Sequence, residues 1–310
     1  MVKTTLVRAP NPSAMTLTGT NSYLVDCGNG EALAIDPGPP IERHVDALVE
    51  TARARGLTIR AIALTHGHPD HAPAAAPLAA RTGAPIYAHP ASAVPHDRNL
   101  DLEGTLCVAT TALRVIDAPG HTFDHVAFYL PEERALFTGD VILGEGPVVI
   151  APPGGAMRPY QRTLQRLADE FSEARIIYGG HGPVVNDARA KVAEYIAHRN
   201  LRERELIDAL ARNGAQTIPE LVLYIYGDAR PMLWPAMARQ LLAHLMALES
   251  EGRVGAERLD RPMTQQETWI LNPSLEELVG PDQAELVAAE LGSMLRLDAL
   301  YAYRLTDIDA

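Results

Sequence analysis

An α/β fold is predicted for this chain, and three observations predict it. Short apolar or β-branched runs alternate with amphipathic stretches at helical spacing through the first two-thirds of the sequence. Glycine-containing turns close several of those runs. Beyond residue 198 the pattern becomes wholly helical, which marks off a smaller module.

The strand-like runs lie at residues 21–25, 31–35, 60–64, 85–88, 113–116, 126–130, 135–138 and 174–178. Helices are expected between them at 42–55, 72–81, 159–171 and 187–198, where apolar residues recur three and four apart. Residues 199–210 make a further helix. Thr217-Ile218-Pro219-Glu220 has the S/T-x-x-E spacing of a capping box and opens the next one. Residues 234–252 make a third, with Leu241, Leu245 and Leu248 on one face. Helical spacing returns over 273–303, where Leu275, Leu278, Leu286, Leu291, Leu295 and Leu300 stand among many acidic residues. The expected organisation is a catalytic-sized domain over 1–198, a winged-helix-like helical module over 199–258, and an acidic, helical extension over 259–310. That extension is expected to pack on the body or on a second subunit; an acidic disordered tail is the competing reading, which the six leucines argue against.

Composition limits the partners. The chain has 310 residues, 47% of them hydrophobic, enough to bury a substantial core. Its net charge of −12 lacks the basic field that supplies most non-specific affinity for phosphodiester backbones, so nucleic acid is disfavoured. Residues 199–258 carry eight arginines and eight acidic residues, so the helical module brings no local excess of positive charge. A structural or substrate-wall role is favoured for it over DNA binding. The two cysteines, Cys27 and Cys107, form no C-x-x-C pair, which fits a reducing compartment. No run of about 18 apolar residues suggests a membrane span. The expectation is a soluble, cytoplasmic protein acting on a small molecule.

His66-Gly67-His68-Pro69-Asp70-His71 packs three imidazoles and a carboxylate into six positions, directly after the apolar run at 62–64. Imidazole and carboxylate suit zinc and similar cations, and this many donors in one turn can feed two neighbouring ions. Pro119-Gly120-His121, Thr138-Gly139-Asp140 and Gly179-Gly180-His181 repeat one device: a strand ends at a glycine turn that carries one donor. Loops leaving the rim of a sheet in this way can converge on one ion pair.

With these motifs in place, residues 15–198 resemble the metallo-β-lactamase superfamily of binuclear metal hydrolases. The resemblance implies an αββα sandwich, two mixed sheets packed together with helices outside and the metals at one edge. It implies that His66, His68 and His121 hold a first metal, that Asp70, His71 and His181 hold a second, and that Asp140 bridges them. Zinc is the first expectation for both ions; iron and manganese suit the same donors. A closer likeness is to the lactamase-β-like group, which includes a single-strand endoribonuclease and polyketide thioesterases. It rests on Thr20-Asn21-Ser22-Tyr23-Leu24-Val25, on the stretch from Phe137 to Gly146, and on Gly180-His181-Gly182-Pro183 with Tyr195-Ile196-Ala197-His198-Arg199-Asn200. Antibiotic-degrading members usually carry cysteine or histidine where this chain has Asp140. Gly67 and Pro69 differ from the bulkier or charged residues of the nuclease members.

The implied chemistry needs no serine or cysteine nucleophile. Two cations sharing a carboxylate lower the pKa of a water between them from about 15.7 toward about 7. The hydroxide would attack an ester, thioester or lactone carbonyl, with Asp70 placed to receive its proton. Single-strand RNA cleavage is the alternative, followed by β-lactam hydrolysis or a non-catalytic metal-binding role. Asp36, before Pro37-Gly38, is the candidate carboxylate for orienting a liganding imidazole, against an ordinary turn-initiating role. His125 is a candidate for touching substrate or protonating a leaving group, against an ordinary partly buried histidine. His44, His89, His96, His198 and His244 lack the strand-end setting and read as surface or packing residues. The Gly/Pro-rich segment 144–155 and the stretch 90–106 are candidate pocket walls.

Overall fold

Strand alternation decides the layering. The computed structural model describes residues 3–274, 297 and 299–306. In β2 (Asn21–Asp26), Tyr23 and Val25 enter one core while Leu24 enters another, as period-two side chains must. The same division holds in β3 (Glu31–Ile35), where Leu33 and Ile35 part from Ala32 and Ala34. Both faces of these strands are therefore covered, which explains why they read as apolar runs.

With β1 (Thr4–Arg8), β4 (Thr58–Ala63), β5 (Ile86–Ala88) and β6 (Arg98–Asn99), β2 and β3 make a six-stranded mixed sheet in sequence order. A second sheet of five runs β11-β10-β9-β8-β7, from β7 (Thr105–Val108), β8 (Thr111–Asp117), β9 (Val126–Leu130), β10 (Ala135–Gly139) and β11 (Ile176–Gly179). The sheets pack face to face through one core that joins Tyr23, Val25, Leu33 and Ile35 to Leu113, Val115, Phe128 and Phe137. The rings of Tyr23 and Phe137 meet edge-on at 5.5 Å across it. On the outer face of the first sheet, α1 (Glu42–Ala54) brings Val45 and Leu48, and α2 (Ala75–Thr82) brings Leu78. On the second sheet, Phe171 follows α3 (Met157–Glu170) and packs on Tyr129 at 5.2 Å. This is the expected αββα order.

The chain divides into two compact units. One runs to Val148 and resumes at Thr163–Ala193; the other takes Val149–Arg162 and everything from Glu194 onward. In the second unit, α5 (Ile218–Tyr226), α6 (Trp234–Ser250) and α7 (Gln265–Leu271) surround a core of Leu206, Leu221, Leu241, Leu245, Leu248 and Ile270. Thr217 caps α5 through the expected capping box with Glu220.

Several expectations need correction. The helices expected at 187–198 and 199–210 are one uninterrupted helix, α4 (Ala188–Asn213), because nothing between Tyr195 and Leu201 breaks the backbone. Helical spacing does not persist to residue 303. β14 (Tyr301–Leu305) is the middle strand of a small sheet, between β12 (Gln216–Thr217) and β13 (Val254–Arg258), and its buried Tyr303 joins the helical core. The rest of that expected helix, 275–296 and 298, lies outside the described residues. The stretch 90–106 holds β6 and the start of β7 and sends Leu100 and Leu106 into the inter-sheet core, while its first part keeps Ser92 and Val94 beside Gly67, with the Ser92 hydroxyl donating to Asp124 Oδ2 at 3.0 Å. No helix among the described residues is long and apolar enough to cross a membrane.

Within the second unit, Glu203 accepts from Arg158 Nη2 at 3.1 Å and lies 3.4 Å from the buried His244 Nδ1. Burial works to raise its pKa, but the bonds to His244 and Arg158 outweigh this and hold the carboxyl at about 2. A carboxyl depressed in the folded state adds stability above its unfolded pKa, and that stability is lost as pH falls toward about 2. Chemical denaturation of wild type is expected to lose on the order of 2 kcal/mol more than Glu203→Gln between pH 5 and about pH 2. Parallel stability curves for the two proteins would contradict this.

Candidate metal centre

Each of the seven expected donors leaves a strand end or the turn beside it, and the structure brings all seven together. His66 follows β4; the turn behind it closes through bonds from the His71 and Ala72 N–H groups to the His68 carbonyl, both 3.0 Å. His121 lies in the β8–β9 connection, Asp140 follows β10 and His181 follows β11. Parallel pairing of β10 with β11 sets the last two side by side, and Gly180 N–H donates to the Gly139 carbonyl at 2.7 Å. Glycine is required at 180: a Cβ there would stand 2.2 Å from Asp140 Oδ1 and 2.6 Å from His71 Cε1. Gly139, with φ of +46°, lies in the left-handed region and turns the chain directly before Asp140.

The donors form two groups. His68 Nδ1 faces His66 Nε2 and His121 Nε2, each at 3.0 Å. In the other group His181 Nε2 lies 3.1 Å from Asp70 Oδ2, and His71 Nε2 lies 3.4 Å from both of them. Asp140 spans the two: it is 3.4 Å from His71, 3.4 Å from His181 and 3.8 Å from His121. Within each group the nitrogen and oxygen atoms fall within 4.8 Å of one another. A cation fits this donor set on the structure's own terms. Two ring nitrogens face the His68 Nδ1 out of water, and beside them two buried carboxylates face two more imidazoles, a donor set that suits a divalent cation.

Asp36, the candidate for orienting an imidazole, is hydrogen-bonded to one of the cluster's histidines and to the threonine beside another. Its Oδ1 accepts from Thr65 N–H at 2.7 Å, and its Oδ2 accepts from the Thr65 hydroxyl at 2.6 Å and from His71 Nδ1 at 2.9 Å. With the Thr65 proton committed to Asp36, the Thr65 oxygen accepts from His66 Nδ1 at 3.0 Å. One buried carboxylate thus fixes the tautomers of both imidazoles, leaving Nε2 of each for the site. His125 differs from its expected role. It is fully buried, with 0% exposure, so it has no face toward a substrate, and its Nε2 accepts from Asp140 N–H at 3.1 Å.

Thr20 and Thr65 were not singled out by the sequence. The Thr20 hydroxyl donates to Asp70 Oδ2 at 3.2 Å, and Thr20 bridges to His181. The one available signal was position, since Thr20 opens the quoted Thr-Asn-Ser-Tyr stretch and Thr65 directly precedes His66. Phe123 was also missed. Two residues beyond His121, it is 53% exposed and is the one exposed large apolar side chain of its unit among the described residues. Of the segment 144–155, the Gly144 N–H donates to the His181 carbonyl at 2.8 Å, while Val148 and Ile150 are buried in packing.

Charge divides the two groups. Burial, with neighbouring imidazoles adding to it, holds His66 well below the usual histidine range and His68 at about 4. Burial also lowers His71 and His181, but Asp70 and Asp140 outweigh it, leaving His71 well above its usual value and His181 at about 9. Asp140 is correspondingly held well below the carboxylate range by His181 and His71, against its own burial.

Two sheets under flanking helices, with seven His and Asp donors gathered at one edge, define a metal-site hydrolase fold. This chain belongs to the metallo-β-lactamase superfamily and carries a C-terminal winged helix domain. The family model described as "Metallo-beta-lactamase superfamily" matches residues 15–108 and 96–181, and "Beta-lactamase associated winged helix domain" matches 217–261. Among similar proteins, "Lactamase-like protein adaB" of Aspergillus niger is 33% identical over 267 residues, covering 80% of each chain. The "Atrochrysone carboxyl ACP thioesterase" of Aspergillus chevalieri is 35% identical over 254 residues, 76% of this chain and 79% of its own. A solved metallo-beta-lactamase family protein from Thermus thermophilus superposes with a TM-score of 0.68 at 26% identity, covering 83% of this chain and 96% of its own.

Asp36 has φ of +48°, a conformation that Asn tolerates, so Asp36→Asn tests its charge without straining the turn. The substitution is expected to weaken metal affinity by about 10- to 100-fold. Competition with a chromophoric chelator measures it, and unchanged affinity would show Asp36 to be a turn residue only.

Proposed function

We propose that this protein is a binuclear metal-dependent hydrolase of small-molecule thioesters, esters or lactones. The observation that carries the reading is the place of Asp140, whose carboxylate lies within 3.4 to 3.8 Å of imidazoles from both groups. His66, His68 and His121 would hold one divalent ion, Asp70, His71 and His181 the other, with zinc the first choice. Bound there, the ions supply an activated water at neutral pH and Lewis acidity toward a carbonyl oxygen. The side chains do the rest. Asp70 Oδ2, fixed by the Thr20 hydroxyl and His181, stands where a proton from the attacking water can be received. Asp36 and Thr65 hold His66 and His71 in the tautomers that present Nε2. Phe123, two residues beyond His121 and 53% exposed, offers an apolar surface of the kind an acyl substituent requires.

The thioester preference draws on relatives bearing a thioesterase name, together with the net charge of −12, which disfavours a phosphodiester polymer. The free Cys27 and Cys107 suit a reducing, cytoplasmic setting.

The test is a panel of acyl thioesters, lactones and single-stranded RNA, run on purified protein of measured metal content. Turnover of at least one carbonyl substrate is expected, abolished by exhaustive chelation and restored by divalent metal. Asp140→Ala is expected to lower kcat/KM by several kcal/mol of transition-state stabilisation, on the order of 10³-fold. RNA cleavage without carbonyl hydrolysis, or full activity after chelation, would overturn the reading.

A further inference from the structure

The His125 ring touches the first group at His66 and meets the backbone of the spanning residue, Asp140. It stacks on His66 with centroids 4.7 Å apart and planes 21° from parallel. Its Nε2 accepts from Asp140 N–H at 3.1 Å, so the ring is a neutral tautomer carrying its proton on Nδ1. That Nδ1 is buried with no hydrogen-bond partner among the described residues, so the ring orientation is decided at the Asp140 end. Backbone bonds lock the residue in place: its carbonyl accepts from Ala118 N–H at 2.9 Å, and the adjacent Val126 N–H donates to the Thr65 carbonyl at 2.7 Å. Gly139 makes room for the arrangement, since a Cβ at that position would lie 2.8 Å from His125 Nε2 and 2.4 Å from Thr65 Oγ1.

His66 comes from the first sheet and Asp140 from the second, and His125 directly precedes β9, which pairs with β10. We propose that His125 is a positioning residue that braces the bridging carboxylate of Asp140 against His66, fixing the separation of the two metal positions. Without the acceptor, the Asp140 N–H would be a buried donor with nothing opposite it, and the turn after Gly139 would be free to rotate the carboxylate away from one group. The inference rests on the two-metal reading above, but its central contact exists in the metal-free protein and can be measured there.

Two variants separate the acceptor from the ring. His125→Phe keeps a flat ring against His66 and removes the acceptor; His125→Gln gives up the stack and restores an acceptor oxygen. In metal-free protein, amide exchange at Asp140 is expected to quicken at least about 10-fold in the Phe variant and to stay near wild type in the Gln variant. On titration with Co(II), the Phe variant is expected to bind its second equivalent about 10- to 100-fold more weakly, with a changed visible spectrum, and Gln to recover most of both. A Phe variant with wild-type exchange, affinity and spectrum would overturn the brace, as would a Gln variant no better than Phe. Should the Phe variant fail to fold, the Gln variant decides: slow exchange at Asp140 supports the brace, and fast exchange overturns it. Wild-type protein that takes up fewer than two equivalents of Co(II) counts against the two-metal reading, whereas the Asp140 exchange rate still decides the brace.

Discussion

The site depends on a meeting of two sheets that share no strand. Its donors come from the rims of both, so an error of a single ångström in how the sheets stack would separate them. The 2.7 Å bond from Val126 N–H to the Thr65 carbonyl is where that stacking becomes fixed in position. It joins the residue before His66 to the residue after His125, at the rim of the large apolar contact of Tyr23, Leu33, Phe128 and Phe137. The apolar core holds the layers at the right distance without direction. The polar bonds at the rim supply the direction.

The buried charge follows from the same convergence. Two carboxylates, Asp70 and Asp140, share one end of the cluster with His71 and His181, and imidazoles alone fill the other end. Imidazoles crowded together out of water stay neutral, while those facing carboxylates keep protons. A third carboxylate, Asp36, is given over wholly to orientation: its oxygens are taken by Thr65 and His71. Three buried acids in one site thus hold two distinct kinds of work, and the hydrogen bonds each accepts tell them apart.

The seven donors were legible in the sequence because each sits at a strand end beside a glycine or in one short cluster, a local arrangement that a linear reading can see. The αββα order followed from the resemblance those motifs carry; periodicity alone reached α/β. What stayed hidden depends on distance along the chain. β14 pairs with β12 and β13 across about 85 and 45 residues, and Tyr301-Ala302-Tyr303 has no glycine turn or long alternation to announce it. The break expected at 198 had no helix-stopping residue behind it, and α4 runs through. Asp36 stood out by its turn, but Thr20 and Thr65 are ordinary polar residues until the fold sets them against Asp70 and Asp36. His125 carried a recognisable residue type and an unrecognisable burial, so its expected contact with substrate gave way to a contact with backbone.

One position in the cluster contributes no side chain at all. Gly180 passes so close to Asp140 and His71 that even a methyl group would occupy the space of the carboxylate. Its chemistry is nil and its tolerance is equally small. Descendants of this chain could therefore forfeit hydrolysis with every donor still intact, through one alanine at 180, and a survey that scored only the histidines and aspartates would count such a dead copy as an enzyme.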